Sequence, residues 1–290
     1  MSISILYSGF IQGGVLALLA FALMIPFRYL NLPDLSAEGA YTLGGTLMGV
    51  FLLSGFGPVQ SLIGASVLSG LVGLATVMLH LQYSINCLLA GVIISGMTYS
   101  VNLRIMGVPN ISLFNQPHLF GRLFVHDEMI IIFMVLLLVC STFYLFLRTV
   151  IGLKFRAVGH NPSYTMSIGI NNKIYLCSGF YFSGMISGLA GAVSVSLNQY
   201  VDINMGVGII LNALAALMLG EALFNMKQSM FKQISSPIIG ALVFQQLSGL
   251  ILSQGFPPSD YKLISALAII TLLGLTKKHK MSEIIAPNKQ

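Results

Sequence analysis

Charge is the scarcest property of this sequence. Only 8% of its 290 residues are Asp, Glu, Lys or Arg, while 56% are hydrophobic and the mean hydropathy is +0.89. A water-soluble domain carries roughly 25% charged residues, so this chain cannot cover a soluble surface. It reads as an integral membrane protein. Several windows of about 20 residues are nearly free of charge, the length a spanning helix needs. They exclude a β-barrel, whose strands alternate over about 10 residues. Cysteine is scarce too. Cys87, Cys140 and Cys177 sit in apolar stretches without C-x-x-C spacing and read as small core residues. No Lys or Arg precedes Arg28, so the first apolar segment lacks a signal peptide's basic start and reads as a retained span.

The motifs of chemistry are also missing. There is no G-x-x-x-x-G-K-[ST] to cradle ATP phosphates, no H-E-x-x-H and no G-x-S-x-G nucleophile turn. The five histidines, at 80, 118, 126, 160 and 279, show no metal-ligand spacing. These absences speak against an enzyme. The net charge of +6 flanks apolar segments, as topology signals do, and is not the footprint of nucleic-acid binding.

What is present is a series of apolar runs. They predict an all-α polytopic membrane protein of about nine spans, within eight to ten. The spans fall near 6–27, 37–54, 59–80, 86–106, 129–148, 174–197, 205–224, 235–254 and 260–276. With a cytoplasmic C-terminus, Arg104, Arg122 and Lys262 face out and the other 11 of the 14 Lys and Arg face in. That asymmetry, with an odd span count, puts the N-terminus outside. The mixed stretch Gly107–Glu128 is the place expected to hide an extra half-helix. Residues 1–290 form one transmembrane domain, with a basic loop over 149–173 and a tail over 277–290. The pairs Gly9/Gly13, Gly45/Gly49 and Gly184/Gly188 are G-x-x-x-G faces. They serve either packing within the chain or a dimer face.

Three places carry the remaining polar residues. The first is "NLPDLSAEGAYTLGG", Asn31–Gly45. Pro33 is expected to end one helix, Asp34 or Ser36 to cap the next, and Glu38 to sit in its first turn. The break is either a hinge or part of a pathway in which carboxylates meet an ammonium group. The second is "RTVIGLKFRAVGHNPSYTMSIGINNK", Arg148–Lys173. Asn161 as N-cap, Pro162 at the first position and Gly169 just past the end predict a short helix near 162–168. Two turns cannot hold alone in water, so this helix must dock, on its own chain or on a partner. The third is a scatter of ionisable or polar groups within spans. Arg104, beside Asn102, is an interface anchor or a ligand contact. Glu221 either pairs with a basic neighbour or meets another subunit.

These stretches resemble a known family. "NLPDLSAEGAYTLGG", "LLAGVIISGMTYSVNLRIMGVPN" (88–110), "GLKFRAVGHNPSYTMSIGINNKI" (152–174) and "NMGVGIILNALAALMLGEALF" (204–224) are similar, in order, to segments of bacterial ABC-importer permeases. The family is that of the branched-chain amino acid and ribose permeases, and the likeness is greatest to its aromatic-amino-acid branch. The resemblance implies a homodimeric pathway in the bacterial inner membrane. Two cytoplasmic ATPase subunits would bind ATP and Mg, and this chain would bind no cofactor. An extracytoplasmic binding protein would deliver a small polar solute, an amino acid by the branch. It further implies that Asn161, Pro162, Ser163, Tyr164 and Gly169 form the coupling helix, with Arg156 and Gly159 shaping its approach. Asp34, Ser36, Glu38, Asn102 and Arg104 are then pathway candidates and Glu221 an interface candidate. The chain departs from the common form at Glu38, where Asp is expected, and at Tyr164 and Thr165. The competing reading is an ion-coupled secondary transporter, which needs Glu38 or Glu221 as a titrating site.

Overall fold

The computed structural model describes residues 3–117, 127–224 and 229–253. The expected span at 260–276, the tail 277–290 and residues 118–126 lie outside the described residues. Helix α1 (Ile3–Met24) continues into a π-helical turn over Ile25–Tyr29. Then follow α2 (Ala37–Leu53), α3 (Pro58–Tyr83), α4 (Cys87–Met106) and strand β1 (Asn110–Ser112). The second half holds α5 (Asp127–Arg148), α6 (Val150–His160), α7 (Pro162–Ser167), α8 (Asn172–Asn198), strand β2 (Tyr200–Asp202), α9 (Ile209–Leu223) and α10 (Met230–Ser253). Among the described residues, six helices are long and apolar enough to cross a membrane: α1 with its π turn, α3, α4, α5, α8 and α10.

Two expected spans are short. Helix α2 has 17 residues and α9 has 15. At 1.5 Å per residue they reach roughly 25 and 22 Å, less than a hydrocarbon core of about 30 Å. The expected span at 205–224 therefore needs correcting. Residues 203–208 are turns, with Gly208 in the left-handed region at φ +80°, and the helix starts only at Ile209. The extra half-helix expected within 107–128 falls partly on residues 118–126, outside the described residues. The part of 107–128 that is described forms β1, which pairs antiparallel with β2, Asn110 opposite Asp202. This small sheet ties the α4–α5 connection to the α8–α9 connection.

Two more boundaries moved. The basic loop holds α6 as well as the anticipated short helix. Gly152, Phe155, Val158 and Gly159 are buried on one side of α6, while Lys154 and His160 face out. Helix α10 starts five residues before the expected 235. The Ser229 hydroxyl accepts from Lys232 N–H at 3.3 Å, and Pro237 is carried inside the helix.

Small residues set the packing of the centre. Helix α8 lies along both α2 and α3. A Cβ at Gly44 would run into the carbonyl of Gly188, one at Gly191 into that of Tyr41, and one at Gly73 into that of Phe180. These helices meet backbone to backbone, as in membrane interiors where dispersion and close approach replace the hydrophobic effect. The faces of Gly45/Gly49 and Gly184/Gly188 are thus used within the chain. Helix α2 is buried on nearly every side. Helices α3, α4 and α5 instead present exposed apolar side chains such as Val59, Leu89, Met97 and Leu137, the surface a bilayer would cover.

Candidate functional site

The break between α1 and α2 begins at Pro26. Proline cannot donate to the ladder, and the turn widens: Leu30 N–H donates to Ile25 O and Leu32 N–H to Pro26 O. Asn31, at φ +53°, then ends the helix in the left-handed conformation. Pro33 stands two residues beyond that stop, where proline commonly follows a helix end. It does not itself end the helix, as the sequence suggested. Asp34 Oδ1 accepts from Ser36 N–H at 2.8 Å, so Asp34 is the group that turns the chain into α2. Ser36 occupies the cap position without using its hydroxyl. Both residues are 1% exposed. Asp34 lies in the connector between helices, and burial pushes its carboxyl up to about 6, against the bond from Ser36.

Asp34 and Ser36 do not face an open chamber. A Cβ at Gly91 of α4 would stand 2.9 Å from Ser36 N and 3.3 Å from Asp34 Oδ1. The connector is pressed against α4 one turn from its start. In the first turn of α2, Glu38 lies beside the turn at 206–208 that leads into α9. A Cβ at Gly206 would collide with Thr42 Oγ1 and come 2.9 Å from Glu38 O. Helices α2 and α9 thus bring their N-termini together, with the Glu38 carboxylate between two positive dipole ends. The expectation that Glu38 sits in the first turn holds. The N-terminus of α9 beside it has no place in a single span over 205–224.

Asn102 and Arg104 are not part of that group. They stand 11 and 13 residues beyond Gly91 on α4, roughly 16 and 20 Å along the axis. Asn102 is 0% exposed, and neither its amide N nor its O finds a hydrogen-bond partner among the described residues. It shares a face with Thr98 and Met106 that lies against α2: Gly39 packs on Thr98, and Thr46 Oγ1 lies 3.4 Å from Met106 Sδ. Arg104 is exposed on another side. Glu221 makes a two-point pair with the Arg28 guanidinium, joining the ends of α1 and α9.

The second constellation is the α6–α7 hairpin. Asn161 Oδ1 accepts from Tyr164 N–H at 3.0 Å and Pro162 takes the first helical position. Gly169, at φ +80°, closes the helix with its N–H on Met166 O. The anticipated helix at 162–168 is α7, Pro162–Ser167. What holds it was not anticipated. Asn172, at the start of α8, donates through Nδ2 to Pro162 O at 2.8 Å. Its Oδ1 accepts from Thr165 Oγ1, also at 2.8 Å. Thr165 is 0% exposed, whereas Tyr164 and Met166 are 61% and 63% exposed and project away. The hairpin is stitched to the break as well. Asn31 Nδ2 donates to Gly159 O at 2.8 Å, and a Cβ at Gly159 would strike Tyr29 O. Ser163 is exposed beside Tyr164. Arg156 turns toward α10, its Nη1 3.8 Å from Met230 Sδ.

Comparison with known proteins fits this geometry. The family described as the permease component of branched-chain amino acid transport systems matches residues 5–273. The chain belongs to that permease family. The permease is also 33% identical, over 90% of its length and 88% of the relative's, to a tyrosine transport system permease protein of Clostridioides difficile. It is 27% identical to the galactofuranose transporter permease protein YtfT of Escherichia coli, over 83% of this chain and 70% of that one. A probable branched-chain amino acid transport permease of Methanocaldococcus jannaschii is 27% identical over 82% of this chain and 78% of its own. No solved structure gives a significant match. The chain is a multi-pass membrane permease of the ABC type, in the branch that includes the amino acid permeases.

Proposed function

We propose that the permease forms the translocation pathway of a bacterial ABC importer for an amino acid, with an aromatic amino acid the first to test. A separate ATPase binds ATP and Mg, docks on α7 and drives import. A binding protein presents the solute on the opposite face, and two copies of the chain complete the pathway. The α7 end of the bundle faces the cytoplasm. The observation that carries this reading is the form of α7. A helix of 6 residues is too short to hold itself. Here it is pinned by Asn161 and Asn172 and offers Tyr164 and Met166 outward. A pinned helix with its apolar side chains outward suits the groove of another protein.

The stitching gives a route for force. Movement of α7 pulls on Asn161 and α6, then through Gly159 on Tyr29 and Asn31, and so on the connector that sets the start of α2. Irregular backbone at the joint of broken helices lets such a shift occur without breaking long ladders. The substrate proposal rests on the relatives, among them the tyrosine permease. The ion-coupled reading has less support at Glu221, which is paired with Arg28. The test is uptake by proteoliposomes containing the permease, its ATPase and its binding protein. Uptake of labelled tyrosine, phenylalanine or leucine should require internal ATP. Uptake driven by a proton or sodium gradient without the ATPase would refute the proposal.

A further inference from the structure

Between the end of α5, the start of α6 and the start of α10 lies a cleft of about 510 Å³. Arg148, Arg156, Thr149 and Ser229 line it, together with Leu153 and Phe231. Two helix N-termini open onto it. Thr149 caps α6, accepting from Gly152 N–H at 3.1 Å, and Ser229 caps α10. Each adds the positive end of a helix dipole. The Nε of Arg156 is buried without a hydrogen-bond partner among the described residues, and its Nη1 reaches only a thioether sulfur. Arg148 lies over the ring of Tyr144, 4.7 Å from its centroid. None of the lining residues is acidic. Two guanidinium groups and two helix N-termini thus line one cleft, with no acidic side chain among the described residues that line it.

We infer that this cleft holds the phosphate of an anionic phospholipid. Its position selects lipid over a soluble anion. Arg148 ends one spanning helix and Met230 starts another, so the cleft sits where hydrocarbon gives way to water. Its mouth is apolar: Leu153 is 61% and Phe231 69% exposed, continuing the exposed Leu145 of α5. A headgroup phosphate binds the cationic wall while an acyl chain runs along the apolar one. Basic pockets at the ends of spanning helices have the chemistry for such headgroups. The site is independent of the transport reading and lies beside the α6–α7 hairpin, so its occupant would brace that hairpin.

The experiment is thermal unfolding of the full-length chain in detergent micelles, titrated with dioleoylphosphatidylglycerol, dioleoylphosphatidylcholine or inorganic phosphate. Phosphatidylglycerol should stabilise the wild type. Its midpoint should rise about fivefold or more in Arg148→Gln, the factor a single basic residue contributes near a lipid surface. Lys154→Gln, an exposed cation outside the cleft lining, should shift it less than twofold. Arg148 is itself exposed, so Arg148→Gln buries no new polar group. Lipid retained by the monodisperse fraction, measured by mass spectrometry, gives the same comparison without unfolding. Equal effects of the two lipids, full protection by phosphate alone, or equal loss in both variants would each overturn the assignment.

Discussion

Replacing Asn172 by Ala should loosen α7 and leave the rest of the permease intact. Asn172 gives α7 two bonds from a site only 5% exposed: Nδ2 to Pro162 O and Oδ1 from Thr165 Oγ1, both at 2.8 Å. The Thr165 hydroxyl has other acceptors in Pro162 O at 2.9 Å and Asn161 O at 3.2 Å, so it is not left wholly unpaired. Each lost bond then costs the ordinary net value of about 1 kcal/mol. The two together come to about 2 kcal/mol, or roughly 30-fold in the local opening equilibrium. Helix α7 has no length of its own to resist that change. The assay is native-state hydrogen exchange on the permease in lipid nanodiscs. The amides of Thr165, Ile168 and Gly169, bonded within the hairpin, should exchange about 30-fold faster. Thr165→Val removes one of the two bonds and should give about fivefold. Amides in the middle of α8 should not change. An increase below threefold for Asn172→Ala, or one that spreads along α8, would refute the view that this residue is the lock.

Other consequences follow from single contacts. Asn31→Gly keeps the left-handed backbone at φ +53° and removes only the bond to Gly159. In the reconstituted importer it should preserve ATPase binding and lower the solute imported per ATP, measured by parallel uptake and phosphate release. Asp34→Ala removes the acceptor that turns the chain into α2 and should cost about 0.5–2 kcal/mol in detergent unfolding. Asp34→Asn keeps that acceptor and relieves a buried carboxyl, so its stability should match or exceed the wild type. Gly44→Ala drives a methyl into Gly188 O and should destabilise by about 1–3 kcal/mol through overpacking. Gly96→Ala is the control for space alone, since nothing lies within 4 Å of its added Cβ and its backbone is helical, and it should not destabilise.

Much of the molecule was legible in its residues, for reasons that can be named. Long charge-free runs specify helices because lipid leaves the backbone no other partner. Asn161, Pro162 and Gly169 act through local chemistry, so α7 could be placed within a residue. Helix α6 has 11 residues, too few for a span, so the apolar runs alone leave it in a loop. Its apolar Ile151, Phe155 and Val158 recur at i, i+4 and i+7, and Thr149 stands at the cap. That pattern was there to be used. The late start of α9 is a tertiary effect. Residues 205–211 are all apolar or Gly, but Gly206 must clear Thr42 and Glu38 of α2. Likewise, nothing local pairs Arg28 with Glu221, 193 residues apart. The same holds for Asn31 with Gly159, 128 apart. No local pattern singles out Asn172, and only the fold brings it to Thr165.

The central claim is that α7 is where an external motor grips this permease. It is tested most directly by mild-detergent purification of the tagged chain from its native membranes, with partners identified by mass spectrometry, for the wild type and for a variant lacking 162–168. The account predicts that a P-loop ATPase accompanies the wild type and is lost from the deletion variant, while both chains are recovered from the membrane in equal amounts. An ATPase that stays bound to the deletion variant would contradict it. So would wild-type permease recovered alone, under conditions that keep a known ABC complex intact.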